Sequence, residues 1–179
     1  MNAALLVIDV QNALCNGQWA AYDVDNVVQR INTLSGMARV AGVPVIFVQH
    51  EEEHETMRFD SQGWQLYEKL DVQPQDLRVR KKACDSFFKT NLRELLTASG
   101  VGKIIVTGMQ SEFCVDSTVR GALANGFEVV LVSDGHTTLD NGVLSAAQIT
   151  AHHNVTLQNI GNFGPPIKVV PTSEVRVAA

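Results

Sequence analysis

The sequence predicts an α/β fold: a three-layer α/β/α sandwich around a mainly parallel, roughly six-stranded sheet, as one domain over residues 1–179. Three observations predict it. Apolar runs such as Ala4-Leu5-Leu6-Val7-Ile8 read as strands buried on both faces, as in a parallel sheet covered by helices. These runs alternate along the chain with segments whose apolar residues recur every three or four positions. A chain of 179 residues, 45% apolar, can also bury one sizeable core.

The elements follow in order. The first strand covers 4–10, and Asp9 is its anomaly, because an acid at the end of a central strand needs a partner or a chemical task. Gln11, Asn12, Cys15 and Gly17 form a loop. Asp23 or Asp25 caps a helix over 24–41, with Val27, Val28, Ile31, Leu34 and Met37 on one face and Gly42 at its end. Residues 43–48 form the second strand. The stretch 50–74 is long and irregular and carries His50, Glu51, Glu52, Glu53, His54, Glu55, Arg58 and Trp64, the profile of a lid, a binding loop or an interface.

Residues 76–85 alternate as a third strand. Leu77, Val79, Lys81 and Ala83 share one face, and Arg78, Arg80 and Lys82 share the other. Lys81 thus points with the apolar side chains and needs an anion. Thr90 caps a helix over 91–99 that Gly100 closes. A strand over 103–107 and a helix over 115–125 flank a short turn containing Cys114. Strand 128–133 leads to a polar loop, Asp134-Gly135-His136-Thr137-Thr138. Asp140 or Asn141 starts a helix reaching about His152, residues 155–157 read as a last short strand, and the remainder is a tail rich in glycine and proline.

Composition narrows the function. Net charge is -5 without a basic run, which argues against nucleic acid. No apolar run reaches membrane-spanning length and no basic leader precedes the first strand, so the expected location is the cytoplasm. The three cysteines are widely spaced and no CxxC occurs, so neither a disulfide framework nor a structural zinc site is indicated. No GxGxxG accompanies the strand–helix turns, so no dinucleotide cofactor is expected.

In open α/β sheets, sites form beyond the carboxyl ends of the strands. Asp9, Lys81 and Cys114 all lie there. Cys114 in a first helical turn has a thiol pKa expected to be lowered by the unsatisfied N–H groups. The bland alternative is a small buried hydrophobe. Asp9 can act as general base, Lys81 can balance charge, and Cys114 can attack a carbonyl.

Four segments in this order, Leu6-Val7-Ile8-Asp9-Val10-Gln11, Lys81 with Asp85-Ser86-Phe87-Phe88-Lys89-Thr90-Asn91-Leu92, Gly108-Met109-Gln110-Ser111-Glu112-Phe113-Cys114-Val115 and Asp134-Gly135-His136-Thr137-Thr138, resemble the isochorismatase-like cysteine hydrolase superfamily, whose members include nicotinamidases and carbamoylsarcosine amidohydrolases. The resemblance reaches about residue 158. It implies a triad of Asp9, Lys81 and Cys114 and a non-proline cis peptide at Met109–Gln110. It also implies an oxyanion site built from backbone N–H groups of Gln110 and Cys114, and cleavage of a C–N bond through a thioester. Family members are commonly oligomers, which implies a homodimer or larger. The Asp-x-His with which nicotinamidases bind a metal is missing from Gln49-His50-Glu51, so no metal is expected, although His50 and His54 at i, i+4 could share one on a helix.

Gln11, Phe113 and His136 are candidates for contact with a small-molecule substrate. Against each stands a structural role: a strand-end hydrogen bond, a core or interface aromatic, and a satisfied loop histidine. Trp19 and Trp64 carry the same alternatives. Cys15, Cys84 and the pair His152-His153 read as structural. The rival reading of the whole chain is a non-catalytic subunit for small-molecule binding or assembly, which loss of any triad member would have favoured.

Overall fold

The strand sequences explain where each strand lies. In the computed structural model, which describes residues 2–54 and 56–177, β1 (Asn2–Ile8) is central because both its faces are apolar. Leu5 and Val7 enter one core, while Leu6 and Ile8 enter the other. β2 (Val45–His50), β3 (Leu77–Lys81), β4 (Val101–Met109), β5 (Glu128–Thr137) and β6 (Ile167–Val170) complete a six-stranded sheet in the order β3-β2-β1-β4-β5-β6. Every pairing is parallel.

Between the strands come α1 (Asn12–Cys15), α2 (Val24–Val40), α3 (Leu92–Ala98), α4 (Asp116–Ala124) and α5 (Ala146–Gln158). α2 covers one face with Val27, Val28, Ile31, Leu34 and Ala38. Leu92 and Leu96 of α3, Val119, Ala122 and Leu123 of α4, and Leu157 of α5 cover the other. Strand order reverses between β1 and β4, so the chain leaves these two neighbours in opposite directions and opens a crevice at their carboxyl ends. The backbones approach closely there. Gly108 holds φ +117, and a Cβ on it would strike the backbone of Ile8. No helix among the described residues is long and apolar enough to cross a membrane.

The predicted architecture is present, with local differences. β3 stops at Lys81, and 82–91 is loop and turn. Asp23 precedes α2 in a left-handed conformation and bonds Asn26 instead of a backbone amide. Thr90 Oγ1 accepts from the Leu92 amide at 3.2 Å, as a cap would. β5 continues through His136 and Thr137, which the sequence places in a loop. The reason is a bulge: Val106 pairs Leu131, but Gly108 pairs His136. α5 starts after Ser145, whose side chain and that of Gln148 form a capping box. Asn141 instead caps the preceding turn, accepting from the amides of Val143 and Leu144, while Asp140 accepts from the Ala146 amide at the start of α5. Residues 155–157 belong to α5, and the sixth strand lies in the presumed tail, as β6.

Candidate active site

Asp9 sits immediately past β1 at φ +52. Its amide donates to Val48 O at 2.9 Å and its carbonyl accepts from the Gln11 amide at 2.9 Å, which hold the carboxylate over the crevice. Lys81 ends the edge strand β3, with β2 between it and β1. Its register partner is His50, the last residue of β2, so its side chain runs over the end of β2 without crossing the strand's core. Lys81 Nζ lies 2.7 Å from Asp9 Oδ2, 3.1 Å from Cys114 Sγ and 3.1 Å from Ala83 O, which matches the three donors of an ammonium. His50 Nδ1 lies beside it at 3.4 Å. Asp9 is 1% exposed and Lys81 2%.

Burial alone would pull the Lys81 ammonium down, but Asp9 and then Cys114 outweigh it and the pKa is raised. The Cys114 thiol is also raised, first by burial and then by the charge of Asp9, with Lys81 opposing. This corrects the expectation of a lowered thiol pKa. Cys114 is not in the first turn of α4. It sits in a π-helical turn, Ser111–Val115, that precedes α4 and holds the sulfur in a partly buried place facing a carboxylate. Burial and the facing Asp9 thus favour the thiol form of Cys114, beside the Lys81–Asp9 ion pair. Asp9 Oδ1 has no hydrogen-bond partner among the described residues, so an acceptor is free next to the thiol.

The Met109–Gln110 peptide is cis, as the resemblance implied. Met109 is buried, with Cys15 Sγ at 3.9 Å from its sulfur, and Gln110 begins the turn. Of the three substrate candidates, only Phe113 is exposed to solvent, by about half, beside Cys114 in the chain. Gln11 is fully buried: its Oε1 accepts from the His50 amide at 2.9 Å, and its Nε2 donates to His50 O at 3.0 Å and Trp64 O at 2.8 Å. With both ends of the amide spent, it clamps the end of β2 and the 51–75 segment in place of touching substrate. His136 is likewise buried, bonded to Ser111 Oγ and Asn154 Oδ1, and faces away from solvent.

His50 and His54 do not share a helix, since His50 ends β2 and His54 lies in an irregular bend. Burial, followed by the adjacent Lys81 charge, lowers the His50 pKa, so it sits neutral beside the ammonium. This placement was hidden from the sequence, although aligning the ends of β2 and β3 would have paired it with Lys81. Among the described residues, no three His, Cys, Asp or Glu side chains converge as a metal would need. The charged row also finds its place: Arg80 pairs with Glu51 at 2.7 Å and lies 3.7 Å over the Phe59 ring. Trp19 is exposed, whereas Trp64 packs edge-on against Phe59. His153 bonds Asp116, and Cys84 is exposed.

Comparison with known proteins places this geometry in context. The isochorismatase domain family matches residues 3–160. A streptothricin hydrolase of Streptomyces noursei is 40% identical over 138 residues, 76% of this chain and 55% of the relative, so the match spans about half that protein's length. The ureidoacrylate amidohydrolase RutB of Pseudomonas syringae pv. syringae is 30% identical over 74% of this chain and 70% of its own. A crystal structure of an isochorismatase family protein superposes with a TM-score of 0.86 at 39% identity, covering 94% of this chain and 98% of that one.

Proposed function

Because the chain belongs to the isochorismatase family, we propose that it is a cysteine hydrolase cleaving a C–N bond in a small amide, ureido or carbamoyl compound, with Cys114 as nucleophile. The observation that carries this reading is the buried ammonium of Lys81, which touches Asp9 at 2.7 Å and Cys114 at 3.1 Å. The names of the relatives, a streptothricin hydrolase and a ureidoacrylate amidohydrolase, support this bond class.

The steps follow from the protonation states. Asp9 Oδ1, which has no hydrogen-bond partner among the described residues, takes the Cys114 proton as sulfur attacks the carbonyl carbon, so the thiol's raised pKa is met by the base whose charge helps to raise it. Lys81 holds the new thiolate and keeps its bond to Asp9. The carbonyl electron pair moves to oxygen, where backbone N–H groups of Gln110 and Cys114 receive it. The tetrahedral adduct collapses, the C–N bond breaks, and the departing nitrogen takes the proton from Asp9, leaving a thioester. Water then gives Asp9 a proton as it attacks. Collapse expels the Cys114 thiolate, which recovers that proton. The sum is amide plus water giving acid plus amine or ammonia, with Asp9, Lys81 and Cys114 restored.

Intact-protein mass spectrometry after incubation with a panel of small amides, hydroxamates and ureido acids tests the reading. A covalent acyl adduct on the native chain, absent in Cys114→Ala, is expected, and its mass identifies the acyl half of the substrate. No adduct and no ammonia release across the panel, together with an inert Cys114 thiol, would favour a binding subunit.

A further inference from the structure

The reaction above leaves one buried polar network unused. Between Leu131 and His136, β5 advances five residues while its partner β4 advances two, from Val106 to Gly108. This bulge turns at Gly135, where a Cβ would meet Val132 Cγ1 at 2.8 Å. Its result is to bring the His136 ring beneath the π-turn of Cys114. His136 Nδ1 lies 2.8 Å from Ser111 Oγ, and its Nε2 lies 2.9 Å from Asn154 Oδ1 on α5. Ser111 Oγ also lies 3.1 Å from Thr150 Oγ1.

The proton positions can be worked out around this chain. Asn154 Nδ2 donates to Ser133 O at 2.9 Å, so its Oδ1 is the atom facing the imidazole. Nε2 must then carry the ring proton, and Nδ1 is a bare acceptor. The Ser111 hydroxyl donates to Nδ1, and its oxygen accepts from Thr150. Burial, with His153 adding to it against Asn154 and Asp134, lowers the imidazole to about 4, consistent with this neutral tautomer. Ser111 is fully buried and begins the π-turn in which Cys114 stands three residues later. An oxygen fixed from two sides sets the base of the turn that aims the sulfur.

We infer that His136 is a positioning residue for Cys114: through Nδ1 it holds Ser111, and with it the π-turn, in the one arrangement that places Sγ against Lys81 and Asp9. This rests on Cys114 being the nucleophile. Two substitutions separate the ring nitrogens. His136→Asn puts an acceptor where Nδ1 was, keeping the Ser111 bond and losing Asn154. His136→Gln puts a donor where Nε2 was, keeping Asn154 and losing Ser111. Ser111→Ala removes the same bond from the other side.

The readout is alkylation of the full-length chain by iodoacetamide, followed at each cysteine by peptide mass spectrometry, with exposed Cys84 as internal control. The expected result is that His136→Gln and Ser111→Ala change the Cys114 rate about tenfold, the scale of a small misplacement of a reacting atom, while His136→Asn stays within about twofold of native and Cys84 is unaffected. Equal rates in all four proteins, or equal loss in the Asn and Gln variants, would overturn the inference. Alkylation does not require amide cleavage. The expected pattern in a chain that hydrolyses nothing would uphold the positioning role and remove only the hydrolase reading, whereas a native Cys114 that never alkylates would remove both.

Discussion

Lys81→Met is the substitution that most directly tests how the site is held. Methionine has nearly the length and volume of lysine, so packing is conserved and the charge alone is removed. In the native chain, Asp9 Oδ1 has no partner among the described residues and Oδ2 relies on Lys81 at 2.7 Å. The substitution leaves a carboxylate 1% exposed with neither oxygen bonded by a side chain of the described residues. Breaking a buried ion pair from one side costs about 3–5 kcal/mol, because the remaining charge is uncompensated. For a domain of this size, that is a fall in melting temperature of roughly 6 to 20 °C.

The pH dependence has a definite sign. The Lys81 pKa is raised above 10.5 in the folded state, so its stabilisation is fully present below pH 10.5 and is lost as pH rises through the folded value. The stability gap between native and Lys81→Met should therefore be complete at pH 7 to 9 as far as Lys81 titration is concerned, and should close only above 10.5. Urea unfolding at several pH values measures the gap, and acylation of Cys114 measures the accompanying loss of reactivity. A gap under about 1 kcal/mol, the scale of an exposed pair, would refute the view that this ammonium holds the site together.

Asp9→Asn keeps an acceptor for Lys81 but removes the base, and should slow Cys114 acylation about 100- to 10,000-fold with the far-ultraviolet circular dichroism unchanged. Gly108→Ala brings a methyl against the Ile8 backbone at a positive φ, so it should destabilise by about 1–3 kcal/mol from overpacking alone in urea titrations and depress Cys114 reactivity by moving Asp9. Ser145→Ala removes one half of the α5 capping box and should cost about 1 kcal/mol by the same titration, leaving acylation intact. Cys15, raised to about 12 by burial first and Asp25 second, should resist a thiol reagent at pH 8 in the folded protein while Cys84 reacts at once. Reaction of Cys15 at the Cys84 rate would contradict the buried placement.

What the sequence made legible was set by how local each signal is. Buried strands announce themselves by apolar runs, so β1, β2 and β4 and their parallel arrangement could be read. Lys81 could be chosen over Lys82 because period-two alternation survives in a short edge strand. β6 could not, because four residues between Pro166 and Pro171 leave little pattern to detect. In 155–157, β-branched Val155 and Thr156 suggest a strand, but the capping box at Ser145 and burial of Leu157 carry the helix through them, so tertiary contacts override propensity. The raised Cys114 thiol was illegible for a deeper reason. A helix N-terminus is a local feature that lowers a pKa, whereas burial and the charge of Asp9, more than a hundred positions away in the chain, raise it and win. Shorter but still non-local separations hid the roles of Gln11 and His136. Each looked available for substrate because a polar residue beside a strand end carries no mark of what it will meet, and each is consumed by partners on other elements. A site of this kind can be nominated from sequence by the identity of its reacting groups, but the protonation state in which they rest is decided by the three-dimensional packing that surrounds them.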